Sequence, residues 1–376
     1  MSIKVLIVDD SELVRQMLSE MLKADPMIDV VGAAEDPYQA RQMIKELHPD
    51  VLTLDVEMPK MDGVTFLKNL MRLHPLPVVM ISTLTEKGAD VTFEAMDLGA
   101  VDFVTKPKFD LHNTFENYAM EIRRKVKTAS RVSRYQLERQ YARYVANKEH
   151  KPARVHANVP PAAPAQKLTT DAVLPRRTGS VVPGVSMRHK LIAIGSSTGG
   201  TEAIKEVLLR LPEDTPPIVI TQHIPAAFSL PFATRMNNIA AMTVHQAEDG
   251  MEIQHGHVYI APGDRHLLVM RQGNKLVCQL NDGPPVNRHK PSVDVMYRSV
   301  EQAVGKKAVG VILTGMGADG AQGLKELKEI GVQTIAQDEK TSVVWGMPGE
   351  SVKIGAADHV LPLEKIAQKV LDLAVG

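Results

Sequence analysis

The run Lys190-Leu-Ile-Ala-Ile-Gly195-Ser196-Ser197-Thr198-Gly199-Gly200 leads straight into Thr201-Glu-Ala-Ile-Lys-Glu-Val-Leu-Leu209. An apolar stretch breaks into small residues and resumes with apolar positions three and four apart, which predicts a strand, a tight turn and a helix. Gly195, Ser197 and Gly199 have the G-x-S-x-G spacing of a nucleophile elbow, whose glycines permit the strained turn that pushes a serine Oγ out beyond the strand. Alone this is a weak fingerprint, because short Gly/Ser turns after strands also serve as plain turns or as phosphate cradles at helix N-termini. The surrounding chain decides between these.

Outward from that turn, strand and helix patterns alternate. Apolar runs at Leu191–Ile194, Pro217–Thr221, Val258–Ala261, Ala308–Leu313, Val332–Ala336 and Val343–Trp345 are separated by helical patterns beginning at Thr201 and Ala321. This predicts a doubly wound α/β domain, with a hairpin from His266 to Leu280 turning at Gly273-Asn274. Ser197 follows one strand, His223 follows the next, and Asp319 lies just past the glycine-rich turn after a third. If those strands are parallel, the three groups face one crevice. They are the types that acyl transfer needs: a nucleophile, a base near neutral pKa, and a carboxylate that fixes the imidazole tautomer. The order Ser, His, Asp differs from the Ser, Asp, His of α/β-hydrolases, so the elbow sits here on another parallel-sheet scaffold. His255, His257, His266, His289, Asp264 and Asp282 occupy polar loops and compete for the same roles. A zinc site at His255 and His257 lacks a third ligand at a familiar spacing.

The first 125 residues show the same alternation, and polar residues end the strands: Asp9 and Asp10 the first, Asp55 the third, Ser82 and Thr83 the fourth, with Lys106 before Pro107 after the fifth. Three carboxylates together repel one another unless a cation neutralises them, and hard oxygen ligands suit Mg²⁺. A carboxylate beside that ion can accept a phosphoryl group, with Lys106 balancing charge. Between the domains, residues 126–188 read as a linker. Surface-helix patterning through Tyr144 gives way, from Asn147 to Met187, to a Pro- and Ala-rich flexible tether.

At 376 residues the chain is long enough for two domains, each with its own core. Lys plus Arg equals Asp plus Glu at 44 each, so no overall charge draws it to nucleic acid or to an anionic membrane. The N-terminus lacks the pattern of a secretory signal, no run reaches membrane-spanning length, and the single cysteine, Cys278, lies in an alternating stretch as a half-buried thiol. A cytoplasmic protein without membrane insertion is expected, and one that acts as a monomer.

Asp9-Asp10, Leu54-Asp55-Val-Glu-Met-Pro-Lys-Met-Asp-Gly63, Ser82 and Lys106-Pro107 resemble the receiver domain of two-component response regulators. The resemblance implies a flavodoxin-like, doubly wound five-stranded parallel sheet over residues 1–125. It makes Asp55 the phosphorylation site, assigns Mg²⁺ to Asp9, Asp10, Asp55 and the backbone of Glu57, puts Ser82 and Lys106 on the phosphoryl group, and makes Phe103 the aromatic switch. In the second half, residues 189–376, Ile194–Ile204, Ile220–Pro225, Tyr259–His266, Asn287–Asp294, Ile312–Gly320 and Gly346–Pro348 are similar, in order and spacing, to the catalytic domain of the chemotaxis protein-glutamate methylesterases, the CheB family. That family joins a receiver to an esterase. By this resemblance Ser197 is the nucleophile, His223 the general base, Asp319 the orienting acid, and the backbone N–H of Met316 helps hold the oxyanion.

The implied reaction is hydrolysis of glutamyl methyl esters on chemoreceptors, releasing methanol, with deamidation of receptor glutamines as a second activity and no cofactor in the esterase half. The implied partners are methyl-accepting chemotaxis receptors as substrate and the chemotaxis histidine kinase as phosphodonor. Fusion of a phosphoryl switch to a hydrolase predicts that the unphosphorylated receiver covers the crevice and that phosphorylation opens it. The alternative is a phosphorylation-controlled binding module without hydrolase activity. The second domain shows neither a helix-turn-helix signature nor the basic face of a transcription factor.

Overall fold

The computed structural model describes residues 2–82, 86–106, 112–147, 168–176 and 190–375. Thr83, Pro107 and most of the expected tether lie outside them. The chain divides into two compact units, Met1–Lys151 and Pro152–Gly376.

In the first unit, strands β1 (Ile3–Val8), β2 (Ile28–Ala34), β3 (Val51–Asp55), β4 (Val78–Ser82) and β5 (Asp102–Thr105) pair in the order β2-β1-β3-β4-β5, all parallel. Helices α1 (Glu12–Lys23), α2 (Pro37–Leu47), α3 (Gly63–Leu73), α4 (Glu86–Leu98), α5 (His112–Ala129) and α6 (Arg134–Asn147) complete it. The helix starts are local chemistry. Ser11, Asp36 and Asp62 each accept backbone N–H bonds from the first turn of α1, α2 and α3, and Pro37 supplies a preset φ at the head of α2. The strand order reverses between β1 and β3, so the crevice beyond their carboxyl ends opens where Asp9 and Asp55 stand. Residues 126–147, read from the sequence as the helical start of a linker, are the end of α5, a turn at 130–133 and all of α6. Helix α6 lies on α3 and α4 with Leu137 fully buried, and Gln140 donates to the Met96 carbonyl (2.9 Å).

The second unit runs β6 (Leu191–Ser196), α7 (Gly200–Leu208), β7 (Ile218–Gln222), α8 (Ala226–Asn237), β8 (Thr243–Gln246) and β9 (His257–Ile260). The hairpin β10 (His266–Gln272) and β11 (Lys275–Asn281) follows, then α9 (Val293–Val304), β12 (Ala308–Ile312) and α10 (Ala321–Glu329). It closes with β13 (Gln333–Gln337), α11 (Met347–Lys353), β14 (His359–Leu361) and α12 (Leu363–Val375). The main sheet has the order β14-β13-β12-β6-β7-β9-β8, with every pairing parallel. Its central strands are continuous apolar runs because helices cover both faces. The hairpin turns at Gly273 (φ +60°) as expected. Val343–Trp345, expected as a strand, makes only a single bridge, Trp345 to Gly315. Thr314 Oγ1 takes the Val344 N–H (2.9 Å) and so draws this segment to the end of β12 instead of into the sheet.

Residues 168–176 belong to the second unit. After a single 3₁₀ turn (Thr170–Ala172), Val173 and Leu174 pack with Leu268, Val286 and Val295. Among the described residues no helix is long and apolar enough to cross a membrane.

Candidate active site

Strand β6 pairs with β7 on one side and β12 on the other, so the turns after these three strands share one end of the sheet. Ser197 follows β6, His223 follows β7 and Asp319 follows β12. The serine turn is forced by packing. A Cβ on Gly195 would stand 2.2 Å from Val293 Cγ1, and Gly199 adopts φ +75° as it opens α7. Gln222 clamps the turn from the neighbouring strand. Its Oε1 accepts from Ser196 Oγ (2.6 Å), and its Nε2 donates to the carbonyls of Ser197 (2.9 Å) and His223 (3.1 Å). Ser197 N–H bonds Thr314 O (3.0 Å), and Gly315 packs so closely that a Cβ there would lie 2.8 Å from Ser197 Cβ. Met316 is the next residue in that loop.

His223 Nε2 lies 2.8 Å from Asp319 Oδ2. Asp319 is fully enclosed and accepts three further bonds: from Val293 N (2.7 Å) on the same oxygen, and from Ser292 Oγ (2.8 Å) and Asn287 Nδ2 (2.9 Å) on Oδ1. Burial alone would raise this carboxyl. The His223 hydrogen bond and charge, the nearby His289 and the Asn287 donor outweigh burial and hold it well below the usual carboxylate range. With the Nε2 proton directed at Asp319, Nδ1 is the basic nitrogen, and among the described residues nothing hydrogen-bonds it although it is buried. The His289 ring stacks face to face on His223, 3.8 Å between centroids and 3° from parallel.

Of the competing loop residues, His289 and His266 join this site, while His257 and Asp282 are held elsewhere. His266 is buried, donating through Nε2 to Pro284 O (3.0 Å) and accepting from Ser292 N (3.1 Å), so it supports the serine that reaches Asp319. His257 pairs with His245 (2.9 Å), and Asp282 forms a fork with Arg265 (2.8 and 2.7 Å). Burial pushes the Cys278 thiol up to about 12, which leaves it inert at neutral pH.

In the first unit, carboxylate oxygens of Asp9, Asp10 and Asp55 lie within 4.8 Å of one another. Lys106 Nζ reaches Asp55 (2.7 Å) and Asp9 (3.2 Å). Burial raises Asp55 to about 6 and outweighs Lys106, and the Asp9 charge adds to the rise. Asp55 Oδ1 has no hydrogen-bond partner among the described residues. With Asp9 and Asp55 buried, Asp10 exposed and the hydrogen bonding incomplete, this cluster of hard oxygens fits a small divalent cation. Ser82, at the end of β4, is buried and accepts from Thr92 Oγ1 (2.7 Å). Phe103 is buried edge-on to Phe93 (6.3 Å, 78°), with Lys125 Nζ 5.2 Å from its ring centre. Glu57 is exposed, and its backbone N–H works on the Asp55 carboxyl alongside Lys106.

Comparison with known proteins places both halves. Residues 192–370 match the family model described as CheB methylesterase, and residues 5–116 match the response regulator receiver domain. A Hydrogenovibrio crunogenus protein, described as protein-glutamate methylesterase/protein-glutamine glutaminase, is 72% identical over 372 residues, covering 99% of this chain and 98% of its own length. The chain belongs to that family. A Xanthomonas campestris relative of the same description is 52% identical over 376 residues, covering 99% of this chain and 97% of its own. The crystal structure of the Thermotoga maritima CheB methylesterase catalytic domain is 40% identical, covers 51% of this chain and all of its own, and has a TM-score of 0.49. Within this methylesterase/glutaminase chain, Gln222, Asn287 and Ser292 were not singled out from the sequence, and His289 was only one of several loop histidines. Gln222, directly before His223 in the Ile220–Pro225 run, was the readable clue among them. A buried amide at a strand end must find partners.

Proposed function

We propose that this chain is a phosphorylation-activated protein-glutamate methylesterase and protein-glutamine deamidase acting on chemoreceptors, with Ser197, His223 and Asp319 as its triad. The observation that carries the reading is His223, with Nε2 on an enclosed, four-donor Asp319 and a buried Nδ1 left to accept a proton. Ser197 Oγ gives its proton to Nδ1 and bonds to the glutamyl carbonyl carbon. His223 then returns the proton to the departing methoxide, releasing methanol, or to the departing amide, releasing ammonia. Water gives a proton to the same nitrogen and bonds to the acyl carbon; the bond to Ser197 Oγ breaks, His223 returns the proton to that oxygen, and glutamate is released. Backbone N–H groups, with that of Met316 among them, stabilise the oxyanion, each donor contributing about 2.7–4 kcal/mol.

In the receiver, Asp55 is the phosphoryl acceptor. Asp9, Asp10 and Asp55, with the Glu57 backbone, are the residues to hold Mg²⁺, which when bound neutralises charge around the incoming group. Lys106 and Ser82 meet the phosphoryl oxygens, and Phe103 responds as the aromatic switch. A chemotaxis histidine kinase is the phosphodonor, and the setting is the cytoplasm.

Methanol release from methylated receptor membranes, with and without a small-molecule phosphodonor, tests both halves. Phosphodonor should raise the rate in the native chain but not in Asp55→Ala, and Ser197→Ala should release no methanol. Wild-type release by Ser197→Ala would overturn the assignment of the nucleophile.

A further inference from the structure

The loop from Val286 to Ser292 carries Asn287, His289 and Ser292 past Asp319 and His223. Its backbone is tightly turned. Val286 N donates to His289 O (3.0 Å), His289 N donates to Val286 O (2.8 Å), and Asn287 and Arg288 both take positive φ, +51° and +70°. Positive φ at both central residues, closed by the reciprocal Val286–His289 bonds, makes this a two-residue type I′ hairpin turn.

Residues 168–176 bond to the outer edge of this turn. Leu168 forms a parallel bridge with Val286, and its carbonyl accepts the Asn287 N–H (2.8 Å). Val173 and Leu174 pack against the cluster of Leu268, Val286 and Val295. The segment is fastened at its other end by a buried guanidinium. Arg298 forks onto Glu326 (3.0 and 2.8 Å) and gives Nη1 to Asp171 and to Leu174 O (3.2 Å). Arg176 also reaches Glu326 (2.7 Å), and Gln302 donates to Pro175 O (2.9 Å).

We propose that residues 168–176 are a positioning strap for the triad, which fixes the Asn287 backbone so that its amide is held between Asp294 Oδ2 (2.6 Å) and Asp319 Oδ1 (2.9 Å). Through Asp319 the strap sets the orientation of the His223 imidazole, and through His289 it sets the ring stacked on that imidazole. Hydrolytic rate therefore depends on a segment that touches no reacting atom. This rests on the reading of Asp319 and His223 as catalytic.

Full-length chains carrying Asp171→Ala, Asp171→Glu, or Asp171→Ala with Val173→Asp are compared with wild type and Ser197→Ala. Asp171 is 64% exposed at its side chain, so its truncation leaves the core intact. Displacing a triad group by about 1 Å costs on the order of a hundredfold. The strap predicts that kcat falls severalfold in Asp171→Ala and about a hundredfold in the double variant. KM should stay within about twofold, labelling of Ser197 by a fluorophosphonate should slow in parallel, and Asp171→Glu should recover most of the rate. Wild-type kcat in variants whose 168–176 amides exchange freely with deuterium would overturn the strap. So would a loss confined to the double variant and accompanied by loss of its thermal transition. Full activity in Ser197→Ala would instead sink the assigned reaction, whatever the strap variants do.

Discussion

Asp319 collects four donors, and its effect on His223 is geometric as much as electrostatic. An amide in its place can present N–H to Nε2 and so impose the tautomer that puts the proton on the wrong nitrogen. Asp319→Asn should therefore lower kcat by about 10⁴ with the fold retained, measured by methanol release beside a thermal melt. His289 covers one face of the imidazole. Stacked rings contribute about 0.5–1.5 kcal/mol, so His289→Ala should lower kcat by a factor of about 2 to 10, and His289→Phe should restore it if the stack is what matters. Asp55 has a different sensitivity. Burial raises its pKa to about 6, so without a divalent cation it gains a proton as pH falls through that value, and in its proposed role as phosphoryl acceptor it should then lose reactivity. Labelling by a phosphodonor at limiting Mg²⁺ should fall by half near pH 6, and saturating Mg²⁺ should move that midpoint lower. An unchanged midpoint would separate Asp55 from the ion.

The β6–turn–α7 element shows why part of the site was legible in the sequence. Gly195, Ser197 and Gly199 lie within five residues of one another, so the glycines that the turn requires show in one short window even though what crowds them is distant in sequence. A Cβ at Gly195 meets Val293 at 2.2 Å. Gly195→Ala should accordingly destabilise the second unit by about 1–3 kcal/mol, read from its denaturant midpoint. Asp9, Asp55, His223 and Asp319 were legible for a similar reason, because each stands at or soon after the place where an apolar strand run gives way to polar residues. Asn287, Ser292 and the 168–176 segment were not. Their roles come from bonds between residues far apart in sequence, such as Arg298 with Asp171, which no periodicity encodes. The Val343–Trp345 run has the composition of a strand, and the Thr314 hydroxyl together with the Gly315 backbone holds it elsewhere. Strands β8 and β14 went unread because edge strands of three or four residues with His, Gln or Thr among them carry little apolar signal.

At the scale of the whole chain, each unit has its own sheet and its own buried interior, and each should respond to its own ligand. Mg²⁺ at about 100 times its dissociation constant should stabilise the receiver by about 2.7 kcal/mol and raise one calorimetric transition, while Gly195→Ala lowers the other. Movement of both transitions together under Mg²⁺ would show that the units melt as one. The seven-stranded order also fixes when the enzyme can first act. Strand β6, with its serine, is made early in the second unit, but its partner β12 begins only at Ala308 and Asp319 comes later still. Parallel pairing between such distant segments is slow and waits on synthesis of both. On the ribosome, then, Ser197 and His223 leave the exit tunnel well before Asp319 exists to bond the imidazole, and a chain truncated by premature termination before β12 carries the proposed nucleophile without the carboxylate of its triad.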